Sequence, residues 1–303
     1  MRYTYKFSVN FANRDTGDKM NKLFLALDAF CSQNIKDVEK EDVLFIDIPF
    51  SVNQQVYNFS QYSTADFVQN LINEEEVYID EEDIEQDAVI QKMQDVLNNG
   101  DEILYVCTVD KFSVNYYKIQ KMITLLQAEF KNQFHVISLP SSTIAVKPFI
   151  EDVIKLFDSK IPAFHIRHRL MRNLKDYKAI TIVEDCKIID KLKEKRSMSF
   201  SYGIKPIYLS TLENNELEML TKDEGLTPCV NKVADMIKYV KTNNKNLKLY
   251  ISYLKSANHA ELLETLIRKG SNDKVTIQKQ SLTLKQLSRF GVGAIMVSFV
   301  GEI

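Results

Sequence analysis

Apolar residues recur along the first half of the chain in two alternating patterns. Short apolar runs typical of buried strands are residues 43–52 (VLFIDIPFSV), 101–109 (DEILYVCTV) and 134–139 (FHVISL). Between them lie segments with an apolar residue every three or four positions, one ending at Gly100 and one spanning residues 116–130, which predicts amphipathic helices. A regular alternation of strand and helix predicts an α/β unit with a mostly parallel sheet, covered by helices on both faces.

The chain begins with two further predicted elements. Residues 5–11 (YKFSVNF) alternate apolar and polar positions, which predicts the first strand. Residues 20–34 place Leu23, Leu27 and Phe30 at helical spacing, so we predict that this segment is a helix.

The second half has a different order of patterns, which predicts a mixed or antiparallel α+β unit. Two strand-like runs flank Asn214 and Asn215, a pair typical of a hairpin turn. Further strands and helices follow, and we predict strands over 178–185, 247–254 and 274–282 and helices over 227–242 and 259–270. The change of pattern predicts two domains, residues 1–160 and residues 161–303, with a ligand cleft between them.

The last segment, residues 288–303 (SRFGVGAIMVSFVGEI), contains three of the eight glycines. A dinucleotide-binding loop requires a strand, then the glycines, then a helix. Here Gly291 and Gly293 precede the strand-like run, so the order is wrong for such a loop. We predict a bend that starts the last strand, because glycine tolerates positive φ.

Composition narrows the classes of function. The chain has 303 residues, 45% hydrophobic and 26% charged, with a net charge of −2, which is typical of a globular protein. A nucleic-acid-binding protein would be expected to carry a basic surface, so we predict no nucleic-acid partner. We see no transmembrane run and no signal peptide. The four cysteines are widely spaced, which indicates reduced thiols and a cytoplasmic location.

Candidate catalytic residues are scarce. His165 and His168 stand three positions apart, but no third ligand has the spacing that a zinc site requires, and we predict no metal or cofactor. Together with their neighbouring arginines they indicate an exposed basic helix face. No nucleophile elbow, phosphate loop or kinase motif is present, so we predict that the protein is not an enzyme. The acidic block at residues 73–87 is typical of a solvated loop.

Several segments, taken in order, resemble the DegV family of bacterial fatty-acid-binding proteins. The strand VLFIDIPFSV is similar to its early IPL-V strand, and NNGDEILYVCTV to its GDEVL strand. The segment ITIVEDCKIIDKLKEKRSMS resembles its DDL-x-YL-x-x-GGRIS region, and RFGVGAIMVSF resembles its closing H-x-GPGALGV-x-F. The resemblance implies a two-domain carrier that buries a fatty acid between its domains and presents the carboxylate to a fatty-acid kinase.

The resemblance also implies a head-group site around the family's serine loop and its closing glycines. It assigns the ligand carboxylate region to Ser113, Asn115, Arg289, Gly291 and Gly293. Arg289 stands where the family has histidine, and the family's TSQ turn falls at or near residues 81–83, which are all acidic here. The Asp-Ser pair expected after the first strand has no counterpart in VNFANRD.

These departures leave two alternatives open. Arg289 and Ser113 would hold a ligand carboxylate, or Arg289 would pair with an acidic residue of the chain and close the site. In the second case the protein would be a degenerate paralogue that acts as an interaction or regulatory module. Lys193, Lys195 and Arg196 match the region that the resemblance assigns to kinase docking, or form a solvated helix end.

Overall fold

A computed structural model describes residues 21–29, 40–58, 71–73, 77–110, 113–140, 146–183, 203–213, 217–241, 247–271 and 274–302. Its strands are β1 (Leu23–Asp28), β2 (Val43–Ile46), β3 (Phe50–Val52), β4 (Gln55–Tyr57), β5 (Ile79–Glu81), β6 (Glu102–Thr108), β7 (Phe134–Leu139), β8 (Tyr177–Ile182), β9 (Ile204–Thr211), β10 (Glu218–Glu224), β11 (Leu247–Tyr253), β12 (Val275–Ser281) and β13 (Ile295–Val300). Its α-helices with both ends described are α1 (Gln86–Leu97), α2 (Tyr116–Glu129), α3 (Val146–Asp158), α4 (Ala163–Met171), α5 (Leu226–Ile237), α6 (Ala257–Ser271) and α7 (Leu284–Phe290).

The first sheet is parallel, as the strand–helix alternation predicts. Its four strands lie in the order β2-β1-β6-β7, and each neighbouring pair is parallel. Six of the seven residues of β6 are buried, which matches a central strand covered on both faces. Helices α1, α2 and α4 pack against β6 or β7. The carboxyl ends of β1 and β6 therefore lie side by side at one edge of this sheet.

The helix predicted over residues 20–34 is wrong, because its described part contains β1. Leu23 and Leu27 are four residues apart, as in a helix, but they belong to a continuous apolar run, LFLA. Such a run is equally compatible with a strand buried on both faces. Pairing with β2 on one side and β6 on the other decides in favour of the strand. The strand predicted over residues 5–11 lies outside the described residues.

The second sheet is mixed, in agreement with the predicted α+β unit. Its six strands lie in the order β10-β9-β8-β13-β11-β12; β11 and β12 are parallel, and every other neighbouring pair is antiparallel. The predicted pairing of the strands on either side of Asn214 and Asn215 is confirmed by β9 and β10. The two asparagines themselves lie outside the described residues.

The apolar core has two parts, separated by the second sheet. Helices α5 and α6 cover one face of that sheet around Ile180, Ile251 and Val297. The other part runs without interruption from the parallel sheet through α3 to Tyr177 and Met296. Helix α3 contacts β8 and β13 of the second sheet and also helix α4, which packs against the parallel sheet. The division into domains at residue 160 stays a prediction.

A small antiparallel sheet, in the order β4-β3-β5, completes the surroundings of the site. Its strand β5 contacts helix α7, which comes from the far end of the chain. Strand β5 and helix α7 contribute side chains to the same site as the loop that follows β6.

Candidate functional site

The floor of the candidate site lies at the carboxyl ends of β1 and β6. Asp28 ends β1 and is fully buried, and its Oδ2 accepts hydrogen bonds from the Thr108 backbone N–H (2.7 Å) and hydroxyl (3.2 Å). Asp28 is followed by Ala29 at the end of β1, the first strand that the structure describes. The segment VNFANRD, in which the sequence shows no Asp-Ser pair, lies outside the described residues.

The loop after β6 is tied to itself by hydrogen bonds. The Ser113 backbone N–H donates to the Asp110 carbonyl oxygen (3.0 Å), and the Asn115 backbone N–H donates to Ser113 Oγ (3.1 Å). Asn115 is the N-cap residue of α2. All three side chains are buried. The structure thus brings the predicted site residues Ser113 and Asn115 together, at the carboxyl ends of the strands where α/β proteins usually bind ligands.

The carboxylate of Glu81 occupies the centre of the site. It accepts hydrogen bonds from the Ser113 hydroxyl, from Asn115 Nδ2 (2.8 Å) and from Lys285 Nζ. The Glu81 side chain is 6% exposed and that of Lys285 is 9% exposed, so this ion pair is shielded from water. We name Glu81, Ser113, Asn115 and Lys285 the carboxylate cluster.

Asn115 also fixes the loop that follows β5. Its Nδ2 donates to the Glu82 carbonyl oxygen (2.8 Å), and its Oδ1 accepts from the Ile84 backbone N–H (2.9 Å). The prediction that the acidic block is a solvated loop is therefore wrong at Glu81. Its charge can be buried because Lys285 compensates it. The prediction is correct at Asp83, whose side chain is 71% exposed and pairs with Lys118 (2.9 Å).

Helix α7 carries both basic residues of the site, and the sequence patterns did not predict it. It begins with a capping box, in which the Thr283 hydroxyl accepts from the Gln286 N–H and the Gln286 side chain accepts from the Thr283 N–H. The motif T-L-K-Q was the signal available in the sequence. Because Lys285 and Arg289 are four residues apart, they lie on the same face of this helix.

Arg289 faces an acidic residue of the chain. Its Nη1 lies 3.5 Å from Asp110 Oδ2, and the two side chains are 7% and 2% exposed. Burial lowers the pKa of Arg289, and the nearby Asp110 carboxylate acts in the opposite direction. The geometry therefore shows internal pairing at this position, while capture of a ligand carboxylate by Arg289 stays a prediction.

Gly291 and Gly293 form the exit from α7 into the last strand, so the interpretation as a bend is confirmed. Gly291 ends the helix at φ +84°, and its N–H donates to the Leu287 carbonyl oxygen (2.9 Å). The Gly293 carbonyl oxygen accepts from the Ser256 hydroxyl (2.7 Å), which fixes the turn to the start of α6. A direct contact of either glycine with a ligand stays a prediction.

The structure describes only some of the remaining candidate residues. The basic face predicted around His165 and His168 is confirmed as exposed on helix α4. Lys193, Lys195 and Arg196 lie outside the described residues. In the ranges that the structure describes, no group of histidine, cysteine and acidic residues has the geometry of a metal site, and no helix is long and apolar enough to cross a bilayer.

A sequence model described as "Uncharacterised protein, DegV family" matches residues 22–302. The match begins one residue before β1. A search for relatives among curated proteins gave no match.

Solved structures with the same fold include three that contain or bind fatty acids according to their descriptions. The fatty acid binding DegV family protein from Streptococcus agalactiae has 16% identity and a TM-score of 0.73, with 93% of this chain and 100% of that chain covered. A stearic acid-binding protein from Eubacterium ventriosum has 13% identity and a TM-score of 0.73, with 93% and 98% covered. The fatty acid kinase B3 protein of Streptococcus pneumoniae, loaded with linoleic acid, has 13% identity and a TM-score of 0.67, with 93% and 100% covered.

Proposed function

Because the chain belongs to the DegV family, we propose that it binds a long-chain fatty acid or a related lipid and acts as a carrier, not as an enzyme. One observation carries the proposal. A hydroxyl, an amide and an ammonium group converge on a single buried carboxylate, and two of these donors, Ser113 and Asn115, are residues that the resemblance assigns to the head group. Solved structures of the same fold that are described as fatty-acid-binding proteins support it.

The chemistry of the donors suits an anionic head group. Hydrogen bonds from charged or polar donors to a carboxylate are stronger when the site excludes water. The acyl chain would add about 0.8 kcal/mol for each CH₂ group that is removed from water. A long chain buried in the proposed cleft between the two sheets would therefore supply most of the binding free energy.

Analysis of the purified protein for bound lipid, and of its melting temperature with added lipid, tests the proposal directly. We expect native mass spectrometry to show a bound acyl chain, and palmitate or hexadecanol added to the delipidated protein to raise its melting temperature. A lipid at a concentration of 100 times its Kd would stabilise the folded protein by about 2.7 kcal/mol. Absence of a bound lipid together with an unchanged melting temperature for both probes would refute the carrier function.

The alternative function is a degenerate paralogue that does not bind fatty acids and acts as an interaction or regulatory module. The observation that favours it is Glu81, since its carboxylate already satisfies the donors that a ligand would use. Under this alternative the cluster serves only to hold β5, α2 and α7 together. The same measurements decide between the two functions.

Presentation of the lipid to a fatty-acid kinase is a further part of the proposal. Its support is the fold shared with the fatty acid kinase B3 protein and the basic residues Lys193, Lys195 and Arg196. We propose a cytoplasmic location for such a complex. Reversing the three charges to Glu is expected to abolish co-purification with a bacterial fatty-acid kinase, whereas reversing Lys118, Lys121 and Lys131 is expected to leave it intact. If the kinase still co-purifies after the changes at Lys193, Lys195 and Arg196, the docking surface must lie elsewhere.

A further inference from the structure

We propose that Glu81 occupies the head-group position as a carboxylate of the chain itself and thereby determines which lipid head group the site accepts. This inference rests on the proposed lipid site and goes further by assigning its specificity. Glu81 accepts hydrogen bonds from Ser113, Asn115 and Lys285 while its side chain is 6% exposed. It therefore holds the position that a ligand carboxylate would take.

A second carboxylate cannot join this cluster without cost. Two carboxylates a few ångströms apart disfavour ionisation of both, and burial strengthens the repulsion. A fatty acid must therefore displace Glu81 from its three donors. The displaced charge would also leave a site that compensates it. The apparent affinity for a fatty acid therefore equals the intrinsic affinity multiplied by the small fraction of molecules in which Glu81 has left its donors.

A lipid with an uncharged hydroxyl head group meets no such competition. Its hydroxyl can donate a hydrogen bond to the Glu81 carboxylate, and the ion pair of Glu81 with Lys285 is kept. The Glu81 side chain therefore shifts the preference of the site away from free fatty acids and toward uncharged acyl lipids such as fatty alcohols or monoacylglycerols. Two lipids of equal chain length differ only in the head group, so the ratio of their affinities isolates the contribution of the head group.

The decisive measurement is the ratio of Kd values for palmitate and hexadecanol, which have the same chain length. Replacing Glu81→Ala frees the three donors, so we expect the Kd for palmitate to fall roughly 10- to 100-fold. The Kd for hexadecanol should stay constant or rise. Asp80→Ala is the matched control, because Asp80 precedes Glu81 on β5 but is exposed, and it should change neither value.

Two further variants keep the test independent of folding. Glu81→Gln removes the charge at nearly constant volume. We expect this variant, like Glu81→Ala, to bind palmitate more tightly relative to hexadecanol than the wild type does. Glu81→Ala combined with Lys285→Ala removes the cation as well and should lose the gain for palmitate. Equal palmitate-to-hexadecanol ratios in wild type, Glu81→Ala and Glu81→Gln would overturn the inference and leave the carrier function standing. Failure of every variant to bind either lipid would overturn both.

Discussion

At the scale of single residues, the site consists of buried charges that compensate each other across distant parts of the chain. Lys285 pairs with Glu81, and Arg289 lies 3.5 Å from Asp110. An ionised group that loses its partner in a buried site is far less stable than either the intact pair or an apolar replacement. These residues are therefore coupled for stability whatever they bind.

Replacing Arg289→Met is expected to lower the free energy of unfolding by roughly 3 kcal/mol, because Asp110 would stay buried without this cation. Urea denaturation at neutral pH measures the change. The control is Lys238→Met, which removes an exposed ion pair with Asp235 and should cost less than about 1 kcal/mol. Similar losses in the two variants would mean that the buried pair contributes little.

At the scale of elements, helix α7 contributes the basic side chains of the site, and helix α3 is fixed to the second sheet by hydrogen bonds. Helix α7 places Lys285 and Arg289 beside β5 and the loop after β6, and its first turn depends on the capping box of Thr283. Helix α3 is held to the second sheet by tyrosines: the Tyr177 hydroxyl donates to Asp152 (2.6 Å), and the Tyr250 hydroxyl donates to Glu151.

Replacing Thr283→Ala should lower the free energy of unfolding by about 1 kcal/mol, because the Gln286 N–H loses its acceptor. The variant should also weaken palmitate binding, since α7 carries Lys285. Thr265→Ala is the matched control: its hydroxyl donates only to the Glu261 carbonyl oxygen on an exposed part of α6. Equal stability of the two variants in urea would contradict a role for the capping box.

The tyrosines that hold α3 predict a loss of stability in alkali. Burial, followed by the adjacent carboxylates Asp152 and Glu151, raises the pKa of Tyr177 and Tyr250 well above the usual value. As the pH rises, the unfolded chain releases these protons before the folded protein does. The contribution of the two tyrosines to the free energy of unfolding is therefore complete below a pH of about 10 and declines above it. Urea midpoints from pH 8 to 11 measure the decline. The variant with both tyrosines changed to Phe should show a shallower decline, and an unchanged slope would contradict the assignment.

At the scale of the whole molecule, the continuous core makes the two sheets interdependent. Phe149 of α3 is fully buried and contacts Tyr177 edge to face, with ring centroids 5.2 Å apart. Its neighbours belong to the same apolar cluster as residues of the parallel sheet. The proposed cleft would therefore open only if α3 and the core around it move.

Replacing Phe149→Ala should destabilise the protein by about 3–5 kcal/mol, because it leaves a cavity in this core. We expect calorimetry to show one cooperative transition that moves to lower temperature as a unit. Leu125→Ala, at a half-exposed position of α2, is the control and should have a much smaller effect. Two separate transitions, of which only one moves, would mean that the halves unfold independently.

The sequence alone predicts most of this architecture and only part of the site. Continuous apolar runs identify β6 and β7, and the asparagine pair identifies the partners β9 and β10. Strand β1 was mistaken for a helix because a short apolar run does not distinguish the two until its neighbours are known. Glu81 and Lys285 were not paired in advance, because their contact joins positions 204 residues apart. Periodicity carries no information on such a contact.

The position of β13 has a consequence for the order in which the protein is made. It is synthesised after β8 and β11, yet it lies between them in the sheet. Until β13 leaves the ribosome, each of those strands exposes an unpaired edge, and α7, which precedes β13 in the chain, is also missing from the site. The nascent chain therefore cannot complete the second sheet before β13 is made, and Glu81 cannot pair with Lys285 before α7 is made. Both events await the same late stretch of translation, and a stalled ribosome would leave a chain that is prone to aggregation.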